Sequence, residues 1–327
     1  MTDRSRELRA ALEAVRAAAR VCQTVQRKLV RSDTLEKKDR SPVTVADFAS
    51  QAIVCAKLAE ALPGDRVVGE EDASELRQDA QAALRANVAE RVGAELGRAP
   101  GEARVLDWID LGGADATGDR YWTLDPIDGT KGFLRAEQYA VALGLIEGGE
   151  VVLGVLGCPN LELAGTPGAL FSAVKGDASR VHALTDDADL AGRKISVAAV
   201  SSAADARFCE SVEAAHSDQS ESARIASRLG IRSEPLRIDS QCKYATVARG
   251  DASIYLRLPT REDYREKIWD HAAGMLVVEC AGGRVSDAAG KPLDFTHGRT
   301  LERNRGVVAT SGAIHDEVLA AIREVSG

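Results

Sequence analysis

Tyr121-Trp122-Thr123-Leu124-Asp125-Pro126-Ile127-Asp128-Gly129-Thr130 reads as a strand that runs into two carboxylates three positions apart. Pro126 fixes the turn, and Gly129 lets another backbone approach closely. Oxygen ligands converging on one point suit Mg²⁺, which takes carboxylates and carbonyls and keeps several waters. Alone, the D-x-x-D spacing more often describes a turn whose aspartates bond nearby amides.

Two further acidic segments change the weight of that pattern. Val67-Val68-Gly69 is a short strand leading into Glu70-Glu71-Asp72, and Trp269-Asp270-His271 places a carboxylate at the start of a helix expected over 271–280. Each has a plainer reading by itself, Glu70 and Glu71 as a solvated rim and Asp270 as a helix cap.

The periodicity outward from these segments predicts two lobes, 1–190 and 191–327. The first opens with an amphipathic helix over 6–30, followed by a short extended piece at 41–45 and a helix from Asp47 through Leu58. A peripheral helical stretch over 73–101 and an exposed loop at 109–120 come next. Apolar runs at 139–146 and 151–156, joined by Glu147-Gly148-Gly149-Glu150, predict a hairpin. In the second lobe, strands at 195–200, 254–258 and 306–309 alternate with helices at 221–229, 271–280 and 314–325, the pattern of an α/β unit.

Composition narrows the function. The 327 residues are 45% hydrophobic and 28% charged, enough for a substantial core. Lys plus Arg number 42 against 50 Asp plus Glu, a net charge of −8, which argues against nucleic acid as a partner. An anionic substrate must then be neutralised locally, by divalent cations or a few placed Lys and Arg. The six cysteines are scattered without metal-site spacing, the start is charged from Asp3 to Arg9, and no apolar stretch approaches a membrane span. A cytoplasmic, membrane-free monomer is the expectation.

V-G-E-E (68–71), W-T-L-D-P-I-D-G-T (122–130) and W-D-H-A-A-G (269–274) occur in the order found in the lithium-sensitive, magnesium-dependent phosphatase superfamily of inositol monophosphatases and bisphosphate nucleotidases, which the chain resembles. S-P-V-T-V-A-D (41–47), G-T-K-G-F (129–133), D-S-Q-C-K-Y (239–244) and I-Y-L-R-L-P (254–259) are similar to its 3′(2′),5′-bisphosphate nucleotidase branch. Residues 73–120 and 160–190 carry no such likeness.

The resemblance implies a layered α/β/α/β/α sandwich of the inositol monophosphatase-like, sugar phosphatase type. It makes Glu70, Asp125, Asp128, Asp270 and the Ile127 carbonyl ligands for two or three Mg²⁺ ions, with Glu71 a further candidate. It assigns Asp47 and Thr130 to activating the nucleophile. Gly129, Thr130, His216, Ser240, Lys243, Arg257 and Asp270 are the implied substrate contacts. Without the resemblance, Asp47 reads as a helix cap, Thr130 as a turn hydroxyl, and Arg257 as a strand residue facing solvent.

The implied reaction removes the 3′-phosphate of 3′-phosphoadenosine 5′-phosphate to give AMP and phosphate, with 3′-phosphoadenosine 5′-phosphosulfate a second candidate substrate in sulfur metabolism. Two alternatives stay open at this level. One is an inositol or sugar phosphatase of the same superfamily, and the other is a non-catalytic nucleotide sensor.

Overall fold

The computed structural model describes residues 3–31, 41–185, 191–212, 219–259, 261 and 263–326. Helices α1 (Ser5–Arg31) and α2 (Ser41–Ala61) pack on each other, and many of their buried residues are alanines, among them Ala11, Ala14 and Ala18 on the first and Ala46, Ala49 and Ala52 on the second. Small side chains let two helix axes approach closely. The α2 helix begins at Ser41, where an extended piece was expected. Pro42 falls in its first turn, where the missing N–H costs no hydrogen bond, and this overrides the strand preference of Val43, Thr44 and Val45.

The larger sheet runs in chain order: β1 (Val67–Gly69), β2 (Arg120–Asp128), β3 (Ala140–Glu147), β4 (Glu150–Leu163), β5 (Thr166–Val174), β6 (Arg180–Ala183) and β7 (Arg193–Lys194). Only the β1–β2 pairing is parallel. The expected hairpin joins β3 to β4, with Gly148 and Gly149 at φ of 57° and 80°, the left-handed backbone that a two-residue turn needs. Between β1 and β2 lie α3 (Ala82–Leu96) and α4 (Glu102–Asp110), and α5 (Thr130–Leu134) follows β2. The α4 helix takes the start of the expected 109–120 loop, because Val105, Leu106, Trp108 and Ile109 form a buried face.

The second sheet contains β8 (Phe208–Glu210), β9 (Leu236–Arg237), β10 (Ile254–Arg257), β11 (Arg284–Ser286) and β12 (Val307–Thr310), in the order β11-β12-β10-β8-β9. Its helices are α6 (Gln219–Arg228), α7 (Cys242–Arg249), α8 (Ala272–Cys280) and α9 (His315–Ser326). The strand expected over 195–200 is not formed. The N–H groups of Ile195 and Val197 donate to Ser179 and Ala281, two different elements, so this segment bridges them without joining a sheet.

The layers follow from the contacts. Helices α1 and α2 cover one face of the first sheet, and α7 and α8 lie between the two sheets. The α8 helix meets β3, β4 and β5 on one side and β11 and β12 on the other, so Ala272 to Val278 are buried without a polar face. Helices α6 and α9 pack together outside the second sheet, where Ile225, Val318 and Ile322 share a core with Phe208, Ile254 and Leu256. This is the α/β/α/β/α sandwich that the sequence implied. The expected lobe boundary at 190/191 abuts residues 186–190, which lie outside the described residues. No described helix is long and apolar enough to cross a membrane, and the six cysteines are free.

Gly154 on β4 lets α8 sit against the sheet. A Cβ there would lie 2.9 Å from the Ala273 carbonyl oxygen and 3.0 Å from its Cα, backbone atoms that cannot rotate away. Gly154→Ala should therefore destabilise the chain by about 1–3 kcal/mol, the usual range for overpacking, as read from urea unfolding. An unchanged midpoint would show that α8 is free to shift.

Candidate active site

The sheet register breaks between Asp125 and Asp128, where β2 bulges away from β3. The bulge re-aims side chains at the strand end. Asp125 is 2% exposed, and Asp128 is half-buried. The Ser50 hydroxyl of α2 donates to the Pro126 carbonyl at 2.9 Å, tying the turn to the helix behind it. Gly129 has φ of 90°, and a Cβ there would fall 2.8 Å from the Ser240 Cβ. That close approach brings the Gln241 N–H onto the Asp128 Oδ2 at 2.5 Å. One end of the second lobe is thus hydrogen-bonded directly to the acidic turn.

Glu70 follows β1, and its N–H donates to the Leu124 carbonyl. Gln51 grips the next residue through both backbone groups: its Nε2 donates to the Glu71 carbonyl at 2.5 Å, and its Oε1 accepts from the Glu71 N–H at 3.1 Å. Gly69 and Gly112 leave room for it, since a Cβ on either would lie 2.5 or 2.4 Å from Gln51. Arg299 donates to the Gly69 carbonyl and stacks 4.8 Å over the Trp269 ring, linking the neighbours of Glu70 and Asp270. Asp270 ends a 3-10 turn, Ile268–Asp270, and His271 takes the cap position of α8, so Asp270 is not the helix cap.

These elements enclose a cleft of about 470 Å³. It takes in every residue expected at the site except Asp47, His216 and the further candidate Glu71. His216 lies outside the described residues. Asp47 is half-buried outside this lining, near the charges of Glu71 and Glu70, and among the described residues no hydrogen bond joins it to the exposed Thr130. Lys243 is 4% exposed, with its ammonium 5.1 Å over the Tyr255 ring. Arg257 pairs with Glu266 at 2.7 Å and lies 3.6 Å from Asp270.

Burial, then the charges of Glu70, Asp128, Asp270 and Asp47, push the Asp125 carboxyl well above its ordinary value. Burial and the charges of Glu71 and Glu70 do the same to Asp47. Glu70 is raised to about 8 by dehydration and then by Asp270, Glu71 and Asp128, although its position at the open mouth lets water screen part of this. Asp270 is raised to about 6, burial outweighing the opposing charge of Arg257. Burial draws Lys243 downward against the pull of Asp128.

Ser50 and Gln51 went unnoticed in the sequence, although they lie three and four positions after Asp47 and therefore on its helical face. Tyr255 was likewise legible only as the residue two before Arg257, on the same side of a strand.

The inositol monophosphatase family matches residues 3–326, nearly the whole chain. The protein belongs to that family. It is 47% identical to a 3′(2′),5′-bisphosphate nucleotidase from Emericella nidulans, over 89% of this chain and 90% of the relative. It is 44% identical to one from Oryza sativa, over 97% and 94%. An inositol monophosphatase from Anabaena shares the fold with a TM-score of 0.64 at 21% identity, covering 97% of this chain and 95% of that one.

Family members are metal-dependent, generally on Mg²⁺, and the cleft suits such an ion. The Asp125 Oδ1 is buried without a hydrogen-bond partner among the described residues, inside a group of like charges. A cation supplies what that oxygen lacks. Glu266, Asp270 and His271 also bring ligand atoms within 4.8 Å of one another. There, however, the Glu266 Oε2 already meets Arg257 and His271, so a guanidinium fills the cation's place.

The metal-free protein should lose stability as pH rises. A carboxyl whose folded-state pKa is raised binds more protons folded than unfolded, so its contribution, full near an ordinary pKa of ~4, is lost through about 6 for Asp270 and about 8 for Glu70. Thermal midpoints in EDTA should fall between about pH 4 and 8, and Mg²⁺ should flatten the curve. Asp125→Asn should also flatten it, by removing one charge, while lowering kcat more than ~100-fold, about 2.7 kcal/mol. A pH slope unaffected by either change would contradict the charge assignment.

Proposed function

We propose that the chain is a Mg²⁺-dependent 3′(2′),5′-bisphosphate nucleotidase that cleaves the 3′-phosphate of 3′-phosphoadenosine 5′-phosphate, and by extension of the phosphosulfate, to leave the 5′ group in place. The observation that carries this reading is the mixed lining of the cleft. The acidic set shares it with two buried or half-buried cations, Lys243 and Arg257, the latter 3.6 Å from Asp270. A substrate with one anionic group to lose and one to keep fits that lining. An inositol monophosphate leaves the two cations unused.

Glu70, Asp125, Asp128, Asp270 and the Ile127 carbonyl would hold two or three Mg²⁺. When bound, these ions supply charge neutralisation and a more acidic water. Thr130, exposed on the cleft wall, takes a proton from the attacking water and hands it toward Asp47, whose burial makes it a stronger base than a surface aspartate. Attack at phosphorus breaks its bond to the ribose 3′ oxygen, which leaves with a proton from solvent. Ser240 and Gly129 line the same cleft and contact the substrate. Lobe 1–190 carries the acidic set apart from Asp270, and lobe 191–327 carries the phosphate cations.

With Mg²⁺, phosphate release from adenosine 3′,5′-bisphosphate should exceed that from inositol 1-phosphate or fructose 1,6-bisphosphate by at least ~10-fold in kcat/KM. Arg257→Ala should cost about 1.5–3 kcal/mol on the adenosine bisphosphate, mainly in KM, and much less on 3′-AMP. Preference for the inositol ester would overturn the reading.

A further inference from the structure

We infer that Glu266, backed by His271 and Tyr244, is a positioning residue that orients the Arg257 guanidinium toward the retained phosphate and so sets the preference for bisphosphates. This rests on the functional reading above.

Arg257 has two carboxylates in reach. Its Nε lies 2.7 Å from the Glu266 Oε2, and its Nη2 lies 3.6 Å from the Asp270 Oδ2. Glu266 does not touch the cleft and is 6% exposed. Its own geometry is fixed from behind: the same Oε2 lies 3.1 Å from the His271 Nε2, and the His271 Nδ1 lies 2.7 Å from the Tyr244 hydroxyl. His271 and Tyr244 are fully buried.

An ionised carboxylate can only accept, so the His271 Nε2 donates to Glu266, while the Nδ1 on the other side of the ring shares a hydrogen bond with the Tyr244 hydroxyl. Burial works against the Glu266 charge, but the bond from His271 and the charges of His271 and Arg257 outweigh it and hold the carboxyl at about 2. The chain of bonds therefore ties Tyr244 and His271 to an anion that faces Arg257.

Without that anion, the remaining carboxylate in reach of the guanidinium is Asp270, and Arg257 would turn toward it and away from the retained phosphate. With Glu266 in place the Nε edge is occupied by its carboxylate, on a side chain that lines the cleft. The second phosphate cation is tied to the same frame. The Tyr244 ring packs edge-on against Tyr255 at 5.0 Å, and Tyr255 carries the Lys243 ammonium on its face. Both cations thus take their position from one buried cluster.

The test compares adenosine 3′,5′-bisphosphate with 3′-AMP on the full chain with Mg²⁺. Glu266→Gln should raise KM for the bisphosphate about 10-fold, keep kcat within about 3-fold, and move kcat/KM for 3′-AMP less than about 2-fold. Inhibition of 3′-AMP hydrolysis by 5′-AMP, which carries only the retained phosphate, should weaken about 10-fold. Tyr244→Phe, which removes one hydroxyl, should shift the same parameters about 3-fold, and it decides the matter if Glu266→Gln does not fold. Equal losses on both substrates, or an unmoved KM for the bisphosphate, would overturn the role of Glu266. A wild-type chain with no preference for the bisphosphate would instead overturn the functional reading itself.

Discussion

The structure depends on crowding acidic side chains into one cleft. Asp125, nearly sealed from water, feels Glu70, Asp128, Asp270 and Asp47 together, and one of its oxygens has no donor among the described residues. Such a group is stable only if the backbone beneath it is held and if protons or cations offset its charge. The surrounding fold supplies the first condition. Ser50 holds the Pro126 carbonyl, Gln51 holds both backbone groups of Glu71, Gln241 caps Asp128, and Arg299 spans Gly69 and Trp269. Each of these contacts acts on the main chain next to an acidic residue or on its carboxylate.

The five-layer sandwich explains how two opposite charge sets come to share that cleft. Strands β1 and β2 end beside each other and deliver Glu70 and the D-P-I-D turn, while α8 runs from the Asp270 turn between both sheets. The second sheet presents Tyr255 and Arg257 from β10, and the start of α7 presents Lys243. Glycines make the approach possible where the two halves meet, with Gly129 against Ser240 and Gly154 against α8. The acidic and basic side chains are thereby fixed to different elements, and Arg257 is paired with Glu266 while lying 3.6 Å from Asp270.

Much of this was legible in the residues. The hairpin at Gly148-Gly149, the long first helix and the α/β alternation beyond residue 200 follow from local rules of turn chemistry and periodicity, and the acidic segments declared themselves by motif. What escaped was set by tertiary contacts. The helical start at Ser41 depends on where Pro42 falls in the turn, and the unpaired course of 195–200 depends on two distant acceptors. Glu266, Tyr244 and Gln51 have no sequence signature for their roles, because each acts through one partner that only folding brings near. His216 was expected at the pocket and lies outside the described residues.

The central claim is that the acidic cleft holds protons that a divalent cation displaces. Calorimetric titration of the metal-free chain with Mg²⁺, in two buffers of different ionisation enthalpy, counts those protons. At about pH 6.5 binding should release on the order of one proton or more per chain, with the release fading as the pH is raised well past the value of about 8 for Glu70. Mg²⁺ binding with no proton release at that pH would contradict the account.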